Sequence, residues 1–278
     1  MAAIIPLMLI TLDTIRQFFP WSTARRLRER LASLVFSLEP SLAIIFPRSI
    51  RFQNDAVYAF SQSTGSGLVQ RGTLDSWIRE LLVSTPESVR DESILDVSGV
   101  WETKAQTPYA DMEEFARDSK LRSGETRDSV ARLLDDQFKG APYKILVRNW
   151  DKRIFYAQDG THRFAAILRY TLEAGDDWTF TATPTTYRIC ENARKAILDK
   201  YSLWILGSNA ARMINDVANA SYSSPQVRTY DLRPNSSSCG NSGAISVIAV
   251  PRAHPSFVEI ERCIKRACGS DFAALLKD

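Results

Sequence analysis

The stretch from Arg153 to Gly175, RIFYAQDGTHRFAAILRYTLEAG, decides the fold. It opens with a β-prone run, and apolar residues then recur at helical spacing, at Phe164, Ile167, Leu168 and Leu172. Gly160 lies between the two patterns and permits a tight turn, while Gly175 is a common kind of helix stop. The pattern therefore predicts a strand, a solvent-accessible turn and a helix over residues 153–173.

The predicted turn carries side chains suited to chemistry, in the order Asp159, Gly160, Thr161, His162 and Arg163. A helix N-terminus favours an anion, because its first N–H groups lack partners within the helix and the helix dipole is positive there. Cationic side chains in the first turn oppose that dipole and destabilise the helix unless an anion binds. Arginine holds phosphate oxygens with paired hydrogen bonds, and histidine can donate one. The turn is a candidate phosphate site; the alternative is a structural turn in which Arg163 pairs with a carboxylate.

Shorter runs place strands beside this unit. Lys144–Val147 and Arg153–Ala157 are β-prone and are separated by Asn149-Trp150-Asp151-Lys152, which predicts a β-hairpin. Farther upstream, Ile94–Val97 is predicted to be a short strand, and Glu102 follows it closely.

The strand, turn and helix around Asp-Gly-Thr-His-Arg-Phe-Ala-Ala resemble the signature of the ParB/sulfiredoxin superfamily, over about residues 88–190. Members of this superfamily use the turn to hold nucleotide phosphates. The resemblance implies an α+β fold with a ParB/sulfiredoxin-like nucleotide-binding core over residues 88–200. A mostly helical N-terminal extension over residues 1–87 and an α/β C-terminal extension over residues 201–278 would complete the chain.

The resemblance also implies roles for single residues. Gly160–Arg163 match the turn that holds the phosphates, and Asp159 matches an acidic residue of the free-serine kinase branch. Those kinases have a catalytic glutamate just after the first strand, and Glu102 is the candidate here by position; its alternative is a surface carboxylate. The implied catalytic set is Glu102, Asp159 and His162. ATP or ADP would bind together with Mg²⁺, which favours phosphate and carboxylate oxygens.

This sequence departs from the superfamily signature at two points, and each departure argues against one of the superfamily's functions. Thr161 stands where sulfiredoxins have their reactive cysteine, which argues against sulfinic acid reduction. The paired arginines of the DNA-partitioning members are missing from the turn, which argues against chromosome partitioning. We therefore expect a nucleotide-dependent enzyme, either a phosphotransferase to a small hydroxyl substrate or an NTPase. The alternatives are a nucleic-acid-associated regulator or nuclease and a non-catalytic effector or interaction protein.

Composition excludes several other classes of protein. The chain has 35 Lys and Arg against 32 Asp and Glu, a net charge of +3, and 45% hydrophobic residues, which is ordinary globular usage and not that of a disordered tail or a fibrous repeat. Four cysteines and two histidines in 278 residues argue against a disulfide framework and a histidine-rich metal site. We expect a reducing compartment and a cytoplasmic protein, with a secreted bacterial effector acting in a host cytosol as the alternative.

The N-terminal region offers two further predictions. The apolar run of residues 2–10 is shorter than a membrane span and has no basic start, so it is predicted to be a buried terminal element rather than a transmembrane segment or signal peptide. A helix that begins after Ser22 has an apolar stripe formed by Ala24, Leu27, Leu31, Leu34, Val35 and Leu38. Its other face carries Arg25, Arg26, Arg28 and Arg30, either a solvated face or a surface for nucleic acid or membrane.

Two helix starts are marked by capping residues. Thr73 is predicted to cap a helix that begins at Leu74. Ser256 and Glu259 have the spacing of a capping box and predict the start of a last helix.

Overall fold

The computed structural model describes residues 20–36, 50–65, 67–101, 109, 111–117, 126, 128–129, 131–132, 142–158, 160–175, 178–220, 226–232 and 245–277. Within these ranges the helices are α1 Pro20–Ser33, α2 Ala56–Gln62, α3 Leu74–Arg79, α4 Met112–Arg117, α5 Thr161–Ala174, α6 Glu191–Lys200, α7 Ser208–Asn219 and α8 Phe257–Arg266. The strands are β1 Leu82–Pro86, β2 Arg90–Ser93, β3 Val97–Val100, β4 Tyr143–Arg148, β5 Ile154–Tyr156, β6 Thr179–Ile189, β7 Tyr201–Gly207, β8 Arg228–Leu232, β9 Ile245–Pro251 and β10 Ser270–Asp271. Short 3₁₀ helices cover Phe52–Asn54, Ile94–Asp96 and Phe272–Leu276.

The first sheet is mixed and is built around β6, its longest strand. Both β1 and β2 pair antiparallel with β6, along different halves of it. On the other side of β6 lies β4, which is parallel to it and forms the predicted antiparallel hairpin with β5. The last strand, β3, is parallel to β5. The sheet therefore contains two parallel pairs, and the candidate turn follows directly from a strand in one of them.

The two faces of the first sheet are covered differently, because side chains alternate across a strand. On one face Tyr156 stacks on Phe164 of α5, with ring centroids 4.7 Å apart, and α4 packs beside α5. On the other face Phe155 and Leu146 pack against Phe52 in a separate aromatic cluster. Adjacent residues of β5 thus contribute to two cores, and this alternation fixes the side of the sheet on which α5 begins.

The second sheet is antiparallel, in the order β10-β7-β9-β8, and has helices on both faces. Ile245, Val247 and Ala249 of β9 point to a core that includes α2, α3 and the last 3₁₀ helix. Ile248 and Val250 of the same strand point to a core that includes α1, α7 and α8. The second sheet is therefore the middle layer of a three-layer unit, and the α+β class predicted from the sequence is confirmed.

Two details differ from the sequence prediction. Ile94–Asp96 is a 3₁₀ turn rather than a strand, because the Ser93 side chain accepts a hydrogen bond from the Leu95 N–H (3.1 Å) and the strand begins only at Val97. The last helix begins at Phe257, but Ser256 gives it no side-chain cap, so the capping box does not form. The Ser256 N–H instead donates to Nδ1 of His254 at 3.1 Å.

The N-terminal helix confirms part of its predicted stripe. Leu27 and Leu31 are buried against the second sheet's helices, whereas Val35 lies beyond the helix end and is 82% exposed. The apolar run of residues 2–10 lies outside the described residues. Among the helices that the structure describes, none is both long and apolar enough to span a membrane.

Candidate functional site

The turn between β5 and α5 has the geometry that the sequence predicts. Gly160 is the N-cap of α5 and has φ +92°, a left-handed conformation that glycine adopts at little cost. Its carbonyl oxygen accepts hydrogen bonds from the N–H groups of Arg163 (2.8 Å) and Phe164 (3.0 Å), which close the first turn. Since glycine has no side chain, Gly160 itself offers no capping group that would compete with a ligand at this position.

The side chains of the first turn face outward. His162 and Arg163 are exposed, and Thr161 is partly buried. The first turn of α5 contains no acidic residue, and within the described ranges no carboxylate lies at ion-pair distance from Arg163. A purely structural turn would need a carboxylate to pair with Arg163. The part of the chain that the structure describes supplies none.

Packing on both sides holds the turn in place. Phe164, the residue after Arg163, is buried between Tyr156 and Phe180. The His162 ring lies 5.7 Å from the ring of the buried Phe115 on α4, measured between centroids. Leu172, the last residue of the predicted stripe, is 39% exposed, so the apolar contacts of α5 are concentrated towards the turn.

The end of β3 lies beside the end of β5. The two strands are parallel, Val100 is paired with Tyr156, and the Trp101 N–H donates to the Tyr156 carbonyl oxygen at 2.7 Å. In open sheets ligands commonly bind beyond the carboxyl ends of parallel strands. In the sequence Trp101 directly precedes Glu102, and Tyr156 lies three residues before Asp159. Glu102 and Asp159 themselves lie outside the described residues.

A cleft that the sequence does not reveal lies between α2, β8 and Trp101. It has a volume of about 650 Å³ and is lined by Gln53, Tyr58, Ala59, Gln62, Ser63, Gly65, Trp101, Thr229, Tyr230 and Asp231. None of the described turn residues 160–163 lines it. Its walls come from three distant parts of the chain, so no local spacing marks it.

The hydrogen bonds of β8 organise one wall of this cleft. The Tyr230 hydroxyl donates to Asp75 at 2.7 Å, and Arg228 forms an ion pair with the same carboxylate at 2.9 Å. Asp231 accepts a hydrogen bond from the Ser246 hydroxyl at 2.6 Å. Burial raises the pKa of Tyr230 and, on the opposite wall, that of Tyr58, so both phenols are neutral hydrogen-bonding groups near neutral pH.

The arginine-rich face of α1 is partly neutralised. Arg25 pairs with Glu29 at 2.9 Å, and Arg28 pairs with Glu259 of α8 at 2.7 Å, while Arg26 and Arg30 are exposed. A buried apolar stripe on one side and ion pairs on the other are typical of a packed helix with a solvated outer face. They offer no specific support for the alternative of a nucleic-acid or membrane surface.

The comparisons with known proteins give a family but no function. Residues 89–278 match the model of a family of unknown function, DUF6685, and the chain belongs to this family. The matched stretch includes the candidate turn and strands of both sheets. Comparison with curated proteins and with solved structures gives no match.

Proposed function

We propose that this member of the DUF6685 family is a nucleotide-dependent enzyme that binds the phosphates of ATP or ADP at the turn of residues 160–163. The observation that supports it is the pair of exposed side chains, His162 and Arg163, in the first turn of a 14-residue helix capped by a left-handed glycine. A cation such as Arg163 near a helix N-terminus loses about 0.3–1 kcal/mol against the dipole, and a bound anion reverses the sign.

The succession of β5, a glycine turn and α5 also supports a ParB/sulfiredoxin-like core as the finer fold assignment. In this assignment Arg163 holds two phosphate oxygens, and His162 donates a hydrogen bond to a third. The backbone N–H groups of the first turn lie at the positive end of the helix dipole and complete the phosphate site.

The proposed reaction is the transfer of the terminal phosphoryl group to a small hydroxyl substrate or to water. The hydroxyl oxygen bonds to the terminal phosphorus, the bond from that phosphorus to the bridging oxygen breaks, and ADP leaves when ATP is the donor. The proton of the hydroxyl passes to the carboxylate of Glu102 or Asp159. Such a reaction depends mainly on positioning and on stabilisation of charge, and the neighbouring ends of β3 and β5 favour Glu102 as the base.

Mg²⁺ is expected to arrive with the nucleotide. Among the described residues there is no group of three or more His, Cys, Asp or Glu side chains that could hold a metal ion. Mg²⁺ is commonly bound through substrate phosphates and one or two carboxylates only, which this chain could supply at the same edge. When bound, Mg²⁺ would neutralise part of the phosphate charge. A cytoplasmic enzyme is the corresponding proposal for its location.

Isothermal titration and thermal melting with ATP, ADP, CTP and GTP, each with MgCl₂, test this proposal. Arg163→Ala should weaken nucleotide binding by about 1.5–3 kcal/mol, the usual contribution of a hydrogen bond to a charged group. Arg169→Ala is the matched control, because it removes the same charge from the same helix six residues farther along, where Arg169 pairs with the exposed Glu173. If the wild type binds no nucleotide, or if both variants bind equally well, the proposal is wrong. Salt-dependent retention of DNA would instead favour the nucleic-acid alternative.

A further inference from the structure

The cleft between α2, β8 and Trp101 is a second candidate site, on the other side of the first sheet from α5. Trp101 belongs to the aromatic cluster of Phe155 and Phe52, whereas α5 packs on the Tyr156 side. Its volume of about 650 Å³ lies within the range of small-molecule sites, roughly 300–1,000 Å³.

Aromatic packing fixes one wall of the cleft. The Trp101 ring stacks on Phe52 with centroids 5.4 Å apart, and Tyr58 meets both rings edge-on, at 5.6 Å from Trp101 and 4.9 Å from Phe52. Phe52 in turn packs against Phe155 of β5 and Tyr187 of β6. Trp101 is only partly buried, so this supported ring presents part of its surface to the cleft. A preorganised aromatic surface binds a ligand with little loss of side-chain entropy.

The polar groups of the cleft are both donors and acceptors. Gln62 has an amide, Ser63 and Thr229 have hydroxyls, and Asp231 is an exposed residue whose carboxylate accepts from Ser246. Of the lining residues only Asp231 is charged, and no Lys or Arg lines the cleft within the described ranges. Among the described lining residues a phosphate-bearing ligand would meet a carboxylate and no cation. An ammonium group accepts no hydrogen bond, so it would leave the amide N–H donors unmatched.

We propose that this cleft binds a neutral polyhydroxylated ligand, a sugar or a cyclic polyol. Each hydroxyl of such a ligand can donate and accept, which matches the mixed lining. The C–H face of the ligand would lie on Trp101, because the face of an aromatic ring is negative and attracts the positive edge of C–H groups. Asp231 would accept from a ligand hydroxyl while it keeps the Ser246 hydrogen bond.

This proposal goes beyond the proposed function, because the cleft would bind its ligand in the absence of nucleotide. The ligand class is also that of the hydroxyl acceptor in the proposed phosphoryl transfer, and Trp101 directly precedes Glu102 in the chain. Binding and transfer are nevertheless separate properties, and they can be measured separately.

Saturation-transfer NMR and isothermal titration of the full chain, without nucleotide, test the proposal. The probes are D-glucose, D-mannose and myo-inositol, with glucose 6-phosphate and choline as charged counterparts. We expect at least one neutral probe to bind and to be preferred over both charged ones. Asp231→Asn should weaken that binding about tenfold or more, since it loses a charged acceptor while an amide oxygen still serves Ser246. Asp216→Asn, an exposed change on α7, should leave the affinity unchanged.

A second pair of variants separates contact from folding. Trp101→Phe keeps an aromatic ring against Phe52 and should bind several-fold more weakly with an unchanged melting temperature, and Trp101→Ala should bind more weakly still. Three results would overturn the proposal: no neutral probe binds the wild type, choline or glucose 6-phosphate binds in preference, or a neutral probe binds Asp231→Asn and Trp101→Phe as tightly as the wild type. A failure of nucleotide binding at the turn would overturn the proposed function and leave these results unaffected.

Discussion

Arg148 of β4 forms a buried ion pair with Asp55, a residue 93 positions earlier in the chain. Asp55 is also the N-cap of α2 and accepts a hydrogen bond from the Tyr58 N–H at 2.9 Å. Arg148 donates in addition to Asp151, and its guanidinium carbon lies 4.6 Å from the centroid of the Phe155 ring. Since α2 packs on the second sheet and β4 lies in the first, this pair joins the two sheets and holds α2, one wall of the cleft.

Replacing Arg148 with Met should strongly destabilise the protein. The change leaves Asp55 without its cation in a buried position, where burial already raises its pKa and Arg148 opposes that rise. Breaking a buried pair from one side costs about 3–5 kcal/mol, which urea unfolding would measure. Arg25→Met, which breaks only the exposed pair with Glu29, should change the unfolding free energy by less than about 1 kcal/mol. Equal effects of the two changes would show that the buried pair does not join the sheets.

Reversing the charge at the candidate turn should separate stability from binding. Arg163→Glu places a carboxylate in the first turn of α5, where the dipole favours it, so the ligand-free protein should gain about 0.3–1 kcal/mol. The same change should abolish binding of inorganic phosphate and of nucleotides. Unfolding at low and high salt tests the electrostatic origin, because added salt should remove the gain. A loss of stability in the ligand-free protein would indicate that Arg163 has a structural partner.

The left-handed turn makes a prediction about Gly160. Alanine at φ +92° should cost about 1–2 kcal/mol, whereas Gly160→Asn should cost less, because asparagine tolerates this conformation better. Gly67→Ala is the control: no atom lies within 4 Å of the added Cβ, so the unfolding free energy should change by less than about 0.5 kcal/mol. If all three variants have the same free energy of unfolding, the left-handed conformation at residue 160 does not disfavour other residues, and the prediction is wrong.

Acid should destabilise the protein in part through His254. This residue is 3% exposed, and burial lowers its pKa, so the folded state holds it neutral where the unfolded state binds a proton. Stability should therefore fall as the pH drops below about 6.5 and should continue to fall until the folded-state pKa is reached. His254→Asn keeps an acceptor for the Ser256 N–H and removes the titration. Its loss of stability between pH 7 and pH 5 should be smaller than that of the wild type, and equal losses would contradict the prediction.

The candidate turn could be predicted from the sequence because its determinants are local. Gly160 supplies a backbone conformation, and the spacing of Phe164, Ile167 and Leu168 supplies the buried face of α5; each acts within a few residues. The same reasoning was wrong for Ile94–Val97, because a run of four residues does not separate a strand from a turn, and the Ser93 side chain decided in favour of the turn.

The cleft and the parallel pairing of β3 with β5 could not be predicted in this way. Tyr58, Trp101 and Tyr230 come together only after both sheets have formed, and nothing in their sequence spacing anticipates that contact. The hydrogen bond between Trp101 and Tyr156, which joins the ends of β3 and β5, likewise depends on pairing between strands more than 50 residues apart. Local sequence pattern therefore identifies the candidate phosphate site. The surroundings of that site depend on pairing between strands that are distant in the sequence.

The layers of the second sheet have a consequence for the boundaries of the protein. The stretch that matches the family begins at residue 89, yet one face of this sheet is covered by α2 and α3, which precede that residue. A chain cut back to residues 89–278 would expose Val247, Ala249 and their neighbours on β7 and β8 to water, as a contiguous apolar surface of the kind that promotes aggregation. Relatives that have only the matched stretch would need another segment, or a second chain, over that face. In this protein the stretch that matches the family is shorter than the unit that folds.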